Sequence, residues 1–259
     1  MKRILIVAVA TLFAASRASA ADLPVPPAPA YYPVAAVYDW GGGYIGINGG
    51  YAFGQSQWSD PFNPSGLGHT GNFSVNGGLV GVTMGVSGQW GAWVFGVEGD
   101  FDWQGLSGTS SSTSPFCNSI FLSPAVGSLP GGLSCRTQSN WIGTLRARAG
   151  YAWDRVLVYG TVGGAGANVE VSLNGLPTQT NPEFGWTAGG GLEWAFADNW
   201  TAKVEYLFVG LTGKAPCNHG YSCGYDLPAI GAAPAVNGNN TVTLNENIIR
   251  VGVNFKFGH

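Results

Sequence analysis

The sequence predicts an all-β protein, an eight-stranded antiparallel up-and-down transmembrane β-barrel. Three observations carry that prediction. Seven of eight candidate segments clearly alternate apolar and polar side chains with a period of two, the mark of a strand with two unlike faces. The connections between them alternate as well, short and then long. The composition does not suit a water-soluble surface: of 259 residues only 10% are charged, while 42 are Gly and ten are Trp. Ordinary soluble domains carry about 25% charge.

Taken in order, the first run, 44–53, sets Ile45, Ile47, Tyr51 and Phe53 against Gly46, Asn48, Gly50 and Ala52. The second, 79–90, sets Val80, Val82, Met84, Val86 and Trp90 against Gly81, Thr83, Gly85, Ser87 and Gln89. In 93–103 the apolar parity holds Trp93, Phe95, Val97, Phe101 and Trp103, and the other holds Glu98, Asp100 and Asp102. In 141–151, Trp141, Leu145, Ala149 and Tyr151 oppose Thr144, Arg146 and Arg148, so acids on one strand meet bases on the next. The fifth run, 156–165, is apolar or small on both parities and its facing stays open. The sixth, 185–196, opposes Trp186, Leu192, Trp194 and Phe196 to Thr187, Gly189, Gly191 and Glu193. The seventh, 200–208, opposes Trp200, Val204, Tyr206 and Phe208 to Thr201, Lys203 and Glu205; the eighth, 248–257, opposes Ile249, Val251, Val253, Phe255 and Phe257 to Arg250, Gly252, Asn254 and Lys256.

Tight turns are expected at Gly91-Ala92, Trp153-Asp154-Arg155 and Ala197-Asp198-Asn199, and long Gly/Ser/Pro/Asn loops near 54–73, 104–140, 166–183 and 212–246. Short turns on one side and long loops on the other are the connectivity of an up-and-down barrel in an outer membrane.

Volume decides which parity faces lipid. An eight-stranded lumen is only just wide enough for side chains, and the apolar parity carries too many rings to fit there. The polar parity, rich in Gly, Ala, Ser and Thr, suits a crowded interior. Its charges balance: Glu98, Asp100, Asp102, Glu193 and Glu205 against Arg146, Arg148, Lys203, Arg250 and Lys256. Burial of unpaired charge costs several kcal/mol per ion, on the order estimated for desolvated groups, so a balanced set implies an ion-pair network across the lumen. Trp90, Trp93, Tyr151, Trp194, Trp200 and Phe257 near the turn side, and Trp103, Trp141, Trp186 and Phe208 near the loop side, are expected to form the two interfacial girdles.

Residues 1–20 read as a cleaved secretory signal peptide: Met1-Lys2-Arg3, an apolar stretch too short to span a bilayer, then Ala18-Ser19-Ala20. Its removal leaves eight basic residues against 14 acidic ones, with no basic excess for nucleic acid. Residues 21–39, with five prolines, read as an extended periplasmic linker, and 40–259 as the barrel. Four cysteines in an exported chain point to oxidation. The local pairings are Cys117 with Cys135 and Cys217 with Cys223, although four cysteines allow three connectivities. The spacings do not suit a metal site, and no cofactor is expected.

The segments Trp40-Gly41-Gly42-Gly43-Tyr44-Ile45-Gly46, Trp93-Val94-Phe95-Gly96-Val97-Glu98-Gly99-Asp100, Gly143-Thr144-Leu145-Arg146-Ala147-Arg148-Ala149-Gly150-Tyr151 and Lys203-Val204-Glu205-Tyr206 resemble the opacity-type, OmpA-like eight-stranded outer-membrane proteins of Gram-negative bacteria, often labelled porin family. That resemblance implies insertion by the outer-membrane assembly machinery, contact with outer-membrane lipid and lipopolysaccharide, and both barrel ends in the periplasm. It also implies a terminal aromatic read by that machinery, here Phe257, followed by Gly258-His259. The expected function is a non-enzymatic structural or surface role with a filled lumen. The alternatives are a small porin-type channel and binding of a haem-like or host ligand by loops carrying His69, His219 and Tyr221. A lipid-acting enzyme needs a nucleophile beside a base, and none of the three His falls on a predicted strand.

Overall fold

The computed structural model describes residues 38–59, 69–111, 117, 134–173, 179–217 and 238–257. The predicted leader, nearly all of the Pro-rich stretch, His219, Tyr221, Cys223 and the Gly258-His259 end lie outside the described residues. Eight strands follow one another: β1 Gly42–Ser59, β2 Phe73–Trp90, β3 Trp93–Thr109, β4 Cys135–Trp153, β5 Val156–Leu173, β6 Gln179–Ala195, β7 Trp200–Cys217 and β8 Gly238–Phe257. Each pairs antiparallel with its sequence neighbours, and β8 returns to β1 to close the barrel.

The register fixes the shape. A row of paired residues runs from Asp102 through Gly81, Asn48, Gly252, Lys203, Glu193 and Leu157 to Ala152, whose N–H donates to the Ala92 carbonyl at 2.8 Å. One circuit therefore returns to β3 ten residues below its start, at Ala92 rather than Asp102. With strands about 4.8 Å apart and about 3.3 Å per residue, this offset tilts them by about 41° and gives a radius of about 8 Å.

At the turn ends, the left-handed backbone that a tight hairpin needs falls on Gly91 (φ 62°) and on Asp154 (φ 52°). Asp154 is a residue type that tolerates this region. The alternation resolves as expected in the lower barrel: Ile47, Met84, Leu145, Ile249 and Val251 face outward, while Glu98, Arg146, Glu205 and Arg250 are buried. The open fifth strand turns Val158 and Val162 outward and Leu157, Tyr159 and Thr161 inward.

The strands are longer than the alternation predicts, at 17 to 20 residues. Large parts of the expected loops at 54–73, 104–140, 166–183 and 212–246 are strand. At about 2.5 Å of height per tilted residue the wall rises more than about 40 Å, against an apolar band of about 25 Å. Above the loop-side girdle the polarity reverses: Trp58, Phe73, Val75, Leu106, Val169, Leu211 and Leu244 point inward and are buried, while Ser74, Thr109, Arg136 and Asn245 are exposed. With no hydrocarbon outside at that height, the apolar side chains go inside, as in a soluble barrel. An outward-apolar template cannot detect such a segment.

Candidate functional site: the filled lumen

The lumen is occupied in layers. Nearest the turns, a segment preceding β1 crosses the mouth. Trp40 is buried, its Nε1 donating to the Asp154 carbonyl at 2.9 Å and its backbone N–H to Gln89 Oε1 at 2.6 Å; the Tyr38 N–H donates to Asp154 Oδ1 at 3.0 Å. The two rings meet edge-on at 4.9 Å. Beneath them lie Val94, Ala152, Leu157, Tyr159 and Ala195. Burial, with Glu193 nearby, pushes the Tyr38 hydroxyl up to about 12.

Above this cap sits the ionic layer. Arg146, from the inward parity of β4, binds three carboxylates: Glu98 and Asp100 on β3, each at 2.5 Å, and Glu205 on β7 at 3.0 Å. Arg250 on β8 reaches Asp100 at 2.9 Å, Asp102 at 3.0 Å and Glu205 at 2.5 Å. Arg148 pairs with Glu193 and, at 3.4 Å, with Glu98; Lys203 lies 3.0 Å from Glu98. Four cations and five carboxylates thus join β3, β4, β6, β7 and β8, all nine groups being buried. Such pairs are costly to desolvate, so they confer little net stability over apolar packing, but loss of one member leaves a buried charge without a partner.

Lys256 corrects the sequence reading. It forms no ion pair among the described residues; its Nζ donates to the Asp39 carbonyl and sits 4.7 Å from the Tyr38 ring centre. The reason is height. Lys256 shares a row with Tyr44, at the mouth and below the carboxylates, and the crossing segment intercepts it.

Two side chains not singled out from sequence complete the layer. Tyr44 donates its hydroxyl to Glu98 at 2.9 Å, and Tyr159 donates to Glu205 at 3.0 Å while the Arg148 guanidinium lies 3.9 Å from its ring centre. Each ring lies over a glycine: a Cβ on Gly85 would collide with the Tyr44 ring, and one on Gly191 would lie 2.7 Å from the Tyr159 hydroxyl. The signal was the parity of Tyr44 with Gly46 and Asn48; Tyr159 was hidden by the open facing of its strand.

On the loop side an apolar plug closes the lumen, built from Leu79, Leu106, Ile142, Leu207, Val209, Leu211, Leu244 and Ile248 and topped by Trp58. Trp58 Nε1 donates to Thr137 Oγ1 at 2.9 Å. The disulfide Cys117–Cys135 packs into the same cluster. The other candidate pair, Cys217 and Cys223, depends on side chains outside the described residues. Glu183 and Glu246 are buried here with no ion pair among the described residues. His69 is exposed and accepts the Gly71 N–H at 3.2 Å.

Outside, the ten predicted girdle aromatics all take the outward parity. Trp90, Trp93, Tyr151, Trp194, Trp200 and Phe257 ring the turn end, with Trp93 edge-on to Tyr151 at 5.4 Å and Trp200 against Phe255 at 5.1 Å. Trp103, Trp141, Trp186 and Phe208 ring the other end, where Trp141 stacks on Phe101 at 5.7 Å and Trp186 meets Phe208 at 5.2 Å. Above Trp141, β4 bulges between Gln138 and Ile142, and Asn168 Oδ1 fills the gap by accepting the N–H groups of Asn140 and Trp141 at 3.0 and 2.9 Å.

Comparison with known proteins agrees with this architecture. Residues 5–257 match the family described as outer membrane protein beta-barrel domain. The 31 kDa outer-membrane immunogenic protein of Brucella melitensis is 34% identical, covering 99% of this chain and 100% of that protein. The 25 kDa outer-membrane immunogenic protein of Brucella abortus is 31% identical, covering 99% of each. Among solved structures, the outer membrane protein OprG of Pseudomonas aeruginosa superposes with a TM-score of 0.50 at 13% identity, over 86% of this chain and 99% of that one, a likeness of fold.

Proposed function

This chain belongs to the outer membrane β-barrel protein family and lies in the bacterial outer membrane; on that premise we propose that it is a non-enzymatic surface scaffold whose lumen is closed. The supporting observation is the occupancy of the lumen at every level: aromatic cap, ionic layer, apolar plug. An eight-stranded wall encloses only enough width for its own side chains. The part of the wall above the girdle stands clear of the lipid headgroups.

In this reading the leader at 1–20 is removed on export, 21–39 lies in the periplasm, and the assembly machinery inserts the barrel so that its aromatic girdles contact lipid and lipopolysaccharide. The Brucella relatives are named as immunogenic proteins. A wall raised above the girdle offers antibodies a surface of the same kind.

Planar-bilayer recording of the purified barrel tests the proposal. Absence of stable, discrete conductance steps is expected. Reproducible steps would replace the scaffold with a small porin-type channel.

A further inference from the structure

We propose that Tyr38, Asp39 and Trp40 form a lid on the turn-side mouth, and that undoing it admits water to the ionic layer from that side alone. Four groups of the barrel hold this short segment. The Asp154 carboxylate and carbonyl take the Tyr38 N–H and the Trp40 indole, Gln89 takes the Trp40 N–H, and Lys256 donates to the Asp39 carbonyl. These holders lie on the β4–β5 turn, on β2 and on β8, so the segment straps across the opening rather than continuing one strand. Trp40 and Tyr38 are 4% and 8% exposed although the chain is just entering β1.

The strap is docked by polar contacts around a small apolar patch. Tyr38 and Trp40 share one buried apolar cluster with Val94, Ala152, Leu157 and Ala195, and in the same cluster Tyr159 contacts Arg148 and Glu205. No other described side-chain layer separates the mouth from the ions. The Tyr38 hydroxyl is buried without a hydrogen-bond partner among the described residues, so within them closure leaves one polar group unsatisfied, an arrangement that lowers the cost of opening. On the opposite side the ionic layer is covered by the much larger plug, which the strap does not touch.

Aqueous access to introduced thiols provides the test, with the parent chain as background for its native cysteines. Ser87→Cys places a thiol on the inner face near the mouth, in the row of Gly42 and Gly96. Leu207→Cys places one in the plug. With the strap intact, a charged, membrane-impermeant maleimide is expected to modify both slowly in folded, detergent-solubilised protein. In a Trp40→Ala, Asp154→Gly background, Ser87→Cys is expected to react at least about tenfold faster and Leu207→Cys at an unchanged rate. Glycine at 154 keeps the positive φ while deleting the carboxylate. Gln89→Ala alone, a milder change should the double variant fold poorly, is expected to give a smaller increase of the same pattern. Equal Ser87→Cys rates with and without the strap, whether both fast or both slow, overturn the lid. A joint acceleration at Ser87→Cys and Leu207→Cys overturns the one-sided opening. Bilayer conductance of the parent decides the closed lumen separately.

Discussion

Arg146 and Glu98 face each other in register on β4 and β3, Nη2 to Oε1 at 2.5 Å, with both side chains out of reach of solvent. The pair is a hub. Arg146 also binds Asp100 and Glu205, so its truncation leaves three carboxylates facing one another with fewer counterions. Arg146→Ala is expected to destabilise the barrel by about 3–5 kcal/mol, the usual consequence of breaking a buried pair from one side. A lower temperature for the heat-induced mobility shift on gels reports it; an unchanged temperature contradicts the network.

Tyr159 divides its contribution between a hydroxyl and a ring. Tyr159→Phe removes the hydrogen bond to Glu205 and keeps the face packed on Arg148, for an expected loss of about 1.5–3 kcal/mol, as for hydrogen bonds to charged groups. Tyr159→Ala is expected to lose about 3–5 kcal/mol, as for large core truncations. Urea unfolding in lipid vesicles measures both, and equal effects would mean that the ring contributes nothing.

Position on the outer wall is read by charge insertion. Leu145 is 65% exposed at mid-wall, where Leu145→Arg is expected to cost about 2–4 kcal/mol against hydrocarbon. Ser74 is exposed above the girdle, and Ser74→Arg is expected to stay within about 0.5 kcal/mol, as for ordinary surface changes. Similar costs at the two sites in vesicle refolding would remove the polarity reversal.

The Cys117–Cys135 disulfide closes a separation of 18 residues and is fully buried. Replacement of both by Ser is expected to cost about 3 kcal/mol on the chain-entropy estimate. The bond is also expected to survive dithiothreitol in folded protein and to reduce promptly after denaturation, as followed by thiol titration. Rapid reduction without unfolding would show that the plug is open to water.

Much of this was legible in the chain. Inside the bilayer each strand has one neighbour that accepts only apolar groups, so Trp93, Phe95 and Val97 against Glu98 and Asp100 leave a single orientation. The same logic concealed the upper wall, where Val75, Leu106 and Leu244 face inward beneath a wet exterior and the alternation changes sense. Strand β5 was ambiguous because Gly160, Val162 and Gly164 outside match Thr161, Gly163 and Ala165 inside in size. Lys256 could not be placed from parity, since parity gives the side of the wall and not the height. The strap at Tyr38–Trp40 rests on contacts with Asp154, 114 residues away from Trp40, which no local pattern records.

The reversal of polarity along the upper strands, from Trp58 on β1 through Leu106 on β3 and Arg136 on β4 to Leu244 on β8, also acts as a waterline. A barrel that slid outward by two residues would drag rings into brine, and one that sank would press Ser74 and Arg136 into oil. The protein therefore carries its own draught mark in its strands.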